Sequence, residues 1–118
     1  TRPFRSPLGV GGFVTGDQGC GHAVLMVRDR ARADAFYQQG LGMRVSDYIR
    51  LGPPGRQLTL TFLHCNPRHH TLAYVPAPAP KRLNHFMLQV TDLDDVGRAL
   101  DRAVAAGLTI TSSLGRHT

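Results

Sequence analysis

Gly21-His22-Ala23-Val24-Leu25-Met26-Val27-Arg28-Asp29 and Asn84-His85-Phe86-Met87-Leu88-Gln89-Val90-Thr91-Asp92 carry one pattern twice. At a constant offset of 63 residues His22 matches His85, Leu25 matches Leu88, Val27 matches Val90 and Asp29 matches Asp92. Each copy reads as an apolar strand that runs into a helix, which predicts two copies of one supersecondary unit. Each copy also places an imidazole near the start of its strand. If the copies pack face to face, the two imidazoles converge on one metal ion.

Outward from the first copy, the spacing of Ala33, Phe36, Tyr37 and Leu41 predicts a helix over residues 31–41, ended by Gly40 and Gly42. Strands are predicted over 43–51 and 57–65, joined by the turn Gly52-Pro53-Pro54-Gly55, and over 70–75. The first unit is therefore β-α-β-β-β. Pro76 to Arg82 reads as a stiff, extended linker. The order then restarts with a strand over 84–90. Thr91 and Asp94 form a candidate capping box. Leu93, Val96, Leu100 and Val104 make an apolar helical stripe ended by Gly107, and a strand is predicted over 108–113. By analogy with the first unit, two strands of the second are missing.

The chain has 118 residues, 42% hydrophobic and 19% charged, which bounds it to one globular domain. No apolar run approaches a membrane span and no signal-peptide pattern opens the chain. The first residue is not Met, and Thr1 to Gly12 reads as a Pro/Gly-rich connector, so the expectation is a segment of something longer. The net charge of +6 comes from scattered Arg, Lys81 being the sole lysine. Such scatter describes solvated surface and argues against nucleic-acid binding. Two cysteines, Cys20 and Cys65, are too few for a disulfide scaffold, and a reducing, cytoplasmic setting follows as the default.

The histidines are His22, His64, His69, His70, His85 and His117. A single His at a strand start is ordinarily a hydrogen-bonded core or surface residue; a repeat-matched pair shifts the reading to metal ligation. Neutral imidazole suits Fe, Zn, Cu and Ni, and two His with one carboxylate suit non-haem Fe(II) and oxygen chemistry. All eight acidic residues are Asp; the chain contains no Glu. The run Leu63-His64-Cys65-Asn66-Pro67-Arg68-His69-His70-Thr71-Leu72-Ala73 reads as strand, tight turn and strand. A His there is either an acid/base group or one of two solvated imidazoles in a turn, and periodicity does not choose. Cys20, His22, Cys65 and His85 are an alternative zinc set, although their spacing matches no standard zinc ribbon or finger.

Several motifs together resemble the type I extradiol catechol dioxygenases, in particular the 2,3-dihydroxybiphenyl 1,2-dioxygenases. They are Gly12-Phe13-Val14-Thr15-Gly16-Asp17 followed by Gly21-His22, Asn66-Pro67-Arg68-His69-His70-Thr71-Leu72-Ala73, Leu83-Asn84-His85-Phe86-Met87-Leu88-Gln89-Val90 and Gly115-Arg116-His117-Thr118. The resemblance covers nearly the whole chain in the family's order. It implies an α+β fold of paired βαβββ modules, the vicinal oxygen chelate or glyoxalase-like fold, with the second module incomplete in this chain. Residues 1–16 would be an interdomain connector and 17–118 a catalytic domain, with module one over 20–76 and a truncated module two over 83–118. The implied metal ligands are His22 and His85. His70 is the implied acid/base residue, His117 the histidine that hydrogen-bonds bound catecholate, and Val24 and Phe62 line the substrate pocket.

The implied cofactor is Fe(II), with Mn(II) the alternative, and the implied partners are a catechol-type small molecule and O2. Relatives commonly assemble, so a homo-oligomer is implied for the full-length protein. The implied reaction is extradiol (meta) ring cleavage in aromatic-compound degradation. The family's third ligand, a Glu on the last strand of the second module, would lie about 20 residues past Thr118. Two other readings stay open on the same fold. One is a glyoxalase-like metal-dependent isomerase or hydrolase, and the other a metal-free binding module.

Overall fold

The computed structural model describes residues 6–9, 11–112 and 114–115. They form two compact units, one of Thr15–Leu88 and one that joins the chain up to Val14 with the chain from Gln89 onward.

The larger unit is a five-stranded mixed sheet in the order β2-β3-β4-β1-β5. Its strands are β1 (Gly21–Val27), β2 (Arg44–Leu51), β3 (Leu58–His64), β4 (Leu72–Pro76) and β5 (Leu83–Leu88). β1 and β4 are parallel, and the other pairs are antiparallel. β1 thus lies between the last strand of the first βαβββ module and the first strand that follows it. This is the α+β arrangement expected of paired modules, with β5 laddered directly onto module one.

Between β1 and β2 the chain forms α1 (Arg30–Asp34), then widens into π-type turns over Ala35–Gly40. The Asp29 carboxylate caps α1 by accepting from the Arg32 N–H. Of the four predicted stripe residues, Ala33 is buried and Tyr37 packs on the core, whereas Phe36 and Leu41 are exposed. The widening explains the difference. Leu41 N–H donates to Phe36 C=O and Met43 N–H to Tyr37 C=O, so the last turns depart from the 3.6-residue period that the stripe assumed.

The core lies on the face of the sheet that α1 covers. Leu63, Tyr74 and Ala33 form its centre, with Leu25, Val27, Tyr37, Met43, Val45 and Leu72 packed around them. Each fully buried large side chain contributes roughly 1.5–3 kcal/mol. Tyr74 is wholly buried, and its hydroxyl donates to the Asp34 carboxylate and receives Gln38 Nε2 at 3.3 Å. Burial, reinforced by the bond to Asp34, pushes its pKa up to about 12.

β1 and β5 approach closely at Gly21. Its φ of 140° is outside the range L side chains favour, and an added Cβ would stand 1.9 Å from the Met87 carbonyl oxygen. Only glycine lets the strands meet there.

In the smaller unit, α2 (Leu93–Ala105) is capped by Asp92, which accepts from the Asp94 N–H. The expected Thr91–Asp94 capping box is therefore corrected. Asp92 occupies the cap with extended backbone (φ −122°, ψ 132°), and Thr91 instead donates its N–H to Gly12 C=O. The matched residues Asp29 and Asp92 are thus both helix caps. Asp95 is the buried residue of α2; the Gly11 N–H and then Arg98 hold its carboxyl below the usual range. Within the apolar stripe Val96 and Leu100 are half-buried, whereas Leu93 is 79% and Val104 60% exposed. No strand among the described residues of this unit offers a surface to receive it.

Two further expectations change here. The predicted strand over 108–113 is irregular through residue 112, with no ladder partner among the described residues, and residue 113 lies outside them. Strand propensity without a partner strand does not make a strand. β5 ends at Leu88 rather than at 90, and Val90 instead bridges Phe13. Gly11 to Val14, within the stretch read as connector, bond to Asp95, Thr91 and Gln89.

Gly21→Ala is expected to force β5 off β1 and to cost about 1–3 kcal/mol in a denaturant titration. An unchanged midpoint would show that the strands do not meet this tightly. The raised pKa of Tyr74 sets a second expectation. The folded state holds the phenol proton more tightly than the unfolded state, so this contribution is complete below pH 10 and lost as pH rises toward about 12. Tyr74→Phe should remove that alkaline loss while costing about 1 kcal/mol at pH 7 through the bond to Asp34. An identical slope of stability against pH in the two proteins contradicts this account.

Candidate metal centre

Strand alternation divides the sheet residues into two sets. Pairing places Tyr48, Thr61, Tyr74 and Leu25 in one row, which belongs to the α1 face. The adjacent row is Asp47, Phe62, Ala73, Val24 and His85, which belongs to the opposite face. His22 stands two residues before Val24 and pairs with Met87, so it shares that face and is diagonal to His85. Val24, which pairs with His85, is buried, and Phe62, two strands further along the row, is half-buried.

The diagonal brings His22 Nε2 to 3.3 Å from His85 Nε2. Two imidazole nitrogens that each lie about 2.1 Å from one ion, at an angle between about 90° and 109°, are about 3.0–3.4 Å apart. The separation of the two nitrogens therefore matches that of two ligands on one ion. His22 is buried at 5% exposure, whereas His85 is exposed. Nδ1 of His85 lies 2.7 Å from Asn84 Oδ1.

His70 joins the pair from two residues before the start of β4. Thr71, the next residue, donates its N–H to Leu63 C=O at 2.8 Å and accepts from the Ala23 N–H at 3.1 Å. These two bonds tie the strand start to β3 and β1 together. They hold the His70 ring 4.2 Å from that of His22 (centroid to centroid, tilted by 30°) and edge-on to Phe62 at 5.0 Å. The turn before it is closed by Asn66, whose Oδ1 accepts from the Arg68 N–H and whose Nδ2 donates to Gln18 C=O.

His70 is 4% exposed, so the reading of two solvated turn imidazoles does not hold for it. His69 is exposed, and its Nδ1 lies 3.0 Å from Nδ1 of His70, one nitrogen donating and the other accepting. His69 also lines an open groove of about 580 Å3 with Arg44, Ser46, His64 and Arg68. Ser46 there contacts His64 Nδ1 at 2.5 Å and donates to His69 C=O. Sequence reasoning missed Ser46, which a bulge between Val45 and Asp47 sets out of register with β3.

Among the described residues no group of three or more His, Cys, Asp or Glu could hold a metal. Cys20 and Cys65 are both exposed, so the alternative Cys20–His22–Cys65–His85 zinc set is not formed. His117 lies outside the described residues. No described helix is long and apolar enough to cross a membrane.

The model of the glyoxalase/bleomycin resistance protein/dioxygenase superfamily matches residues 19–118. A biphenyl-2,3-diol 1,2-dioxygenase of Pseudomonas sp. (strain KKS102) is 55% identical over 118 residues, covering 98% of this chain and 40% of that protein. An iron-dependent extradiol dioxygenase of Rhodococcus jostii (strain RHA1) is 44% identical over 112 residues, covering 89% of this chain and 37% of that protein. The crystal structure of BphC, a halotolerant catechol dioxygenase, superposes with a TM-score of 0.76 at 44% identity, covering 92% of this chain and 36% of that one. The chain thus spans about two fifths of the length of the curated relatives it matches. The repeated strand–helix pattern, the strand order that places β1 between β4 and β5, and the family match over residues 19–118 agree: the chain belongs to the glyoxalase/bleomycin resistance protein/dioxygenase superfamily.

Proposed function

We propose that this protein is an Fe(II)-dependent extradiol dioxygenase that opens a catechol such as 2,3-dihydroxybiphenyl beside its two hydroxyls, in aromatic-compound degradation. The observation that carries the reading is the approach of His22 and His85 to 3.3 Å with the buried His70 ring 4.2 Å from that of His22. The names of the relatives support the same reaction class, and one of them is named as iron-dependent.

In this reading His22 and His85 hold the iron from neighbouring strands, together with the Glu that the resemblance places past Thr118. Such a set of two His and one carboxylate would suit non-haem Fe(II). When bound, Fe(II) supplies the electron transfer that lets a catechol react with O2.

The remaining tasks fall to side chains of the chain. Val24 and Phe62 present apolar surface beside the imidazoles; they orient an aromatic ring and keep water from it. His70 stands next to a ligand but is not one. Its burial against Phe62 and His22 positions one imidazole as the group that takes a proton from a catechol hydroxyl and returns one to oxygen. By resemblance His117 would hydrogen-bond the bound catecholate.

The test loads the whole protein anaerobically with Fe(II), adds 2,3-dihydroxybiphenyl and admits air. A yellow ring-opened product that requires both iron and oxygen is the expected result. No product from iron-loaded protein with this and simpler catechols would turn the reading toward a glyoxalase-like isomerase or a binding module. His85→Ala is expected to abolish iron binding. His70→Ala should keep iron yet lose turnover by about 10²–10⁴-fold, and unchanged turnover removes His70 from the chemistry.

A further inference from the structure

Asn84 and His85 are neighbours in β5, and regular strand geometry sends adjacent side chains to opposite faces. They nevertheless touch, with Asn84 Oδ1 2.7 Å from His85 Nδ1. The cause lies in the β1–β5 register. His85 pairs with Val24, but Leu25 pairs with Leu83, so the ladder skips Asn84. A bulge of this kind leaves one residue unpaired and re-aims its side chain. The other end of the amide is also placed, with Asn84 Nδ2 4.0 Å from the Met26 sulfur. The amide nitrogen therefore faces a weak acceptor on β1, and the oxygen faces the imidazole.

An amide oxygen only accepts, so the proton in this contact belongs to His85 Nδ1. The lone pair of the neutral ring is then on Nε2, the nitrogen that stands 3.3 Å from His22 Nε2. Resting on the reading of His85 as an iron ligand, we infer that Asn84 is a positioning residue. Its bulge-directed carboxamide fixes the tautomer and ring orientation of His85 so that Nε2 is presented to the metal. Partners of this kind hold a ligating imidazole ready and raise its basicity, and their loss commonly weakens metal affinity by about 10–100-fold.

The test is made on the whole protein under anaerobic conditions, with Fe(II) affinity measured by chelator competition. A second measurement is made on the iron-free protein, where the 15N shifts of the His85 ring report which nitrogen is protonated. Asn84→Ala is expected to weaken Fe(II) binding by about 10–100-fold and to shift His85 away from the Nδ1–H tautomer. Asn84→Asp, which retains an acceptor at the same distance, should restore both. Affinity within twofold of wild type and an unchanged tautomer in Asn84→Ala, alongside lost binding in His85→Ala, would overturn the inference. Wild-type iron binding in His85→Ala would instead overturn the ligand assignment beneath it. The tautomer in the iron-free protein then decides by itself whether Asn84 orients the ring. A role limited to holding the bulge together predicts that Asn84→Asp and Asn84→Ala leave the tautomer alike, and that result also overturns it.

Discussion

The antiparallel contact between β1 and β5 is the constraint on which the site depends. Through it, residues 63 positions apart become diagonal neighbours on one face of a sheet. The contact is possible because Gly21 has no side chain where the Met87 carbonyl approaches. A strand pair brought together this way is stiff, because its hydrogen bonds set the register and one residue of slippage would turn every side chain to the other face. The nitrogen separation of 3.3 Å is thus a property of the backbone ladder as much as of two side chains.

The opposite face of the same strands performs the structural work. Tyr74, Leu63 and Ala33 close the core beneath α1, and the Tyr74 hydroxyl reaches Asp34 on that helix. Alternation then separates the two tasks residue by residue. In β4, Tyr74 anchors the helix while Ala73, its neighbour, is on the imidazole face. In β1, Val24 stands beside the site and Leu25 beside the core. The candidate site and the core therefore draw on interleaved positions of the same strands.

Departures from regular geometry cluster around the site. One bulge sets Ser46 toward His64 and His69, and another sets Asn84 toward His85. Both are places where strand pairing yields a residue to a polar contact. His70, held by the two backbone bonds of Thr71, is a third polar group whose position comes from the end of a strand rather than from its interior.

Much of this was legible in the amino-acid sequence. The repeat around His22 and His85, the β-α-β-β-β order of the first module and the turn at Asn66-Pro67 all rest on local pattern, and local pattern follows from covalent geometry and side-chain polarity. The matched aspartates Asp29 and Asp92 were visible as repeat partners, although their shared role as helix caps was not, and Thr91 was expected in place of Asp92. Only the tertiary structure decided which strands are neighbours, which of His69 and His70 is buried, and where the bulges fall. Each of these depends on hydrogen-bond register between segments distant in sequence, and register leaves no signal at the spacing of two or 3.6 residues that sequence periodicity reports. The same reason explains why Leu93 and Val104 of the α2 stripe are exposed and why residues 108–112 form no ladder. An apolar stripe and a run of strand-favouring residues are requests for a partner surface, and the chain's own periodicity does not say whether that surface is present.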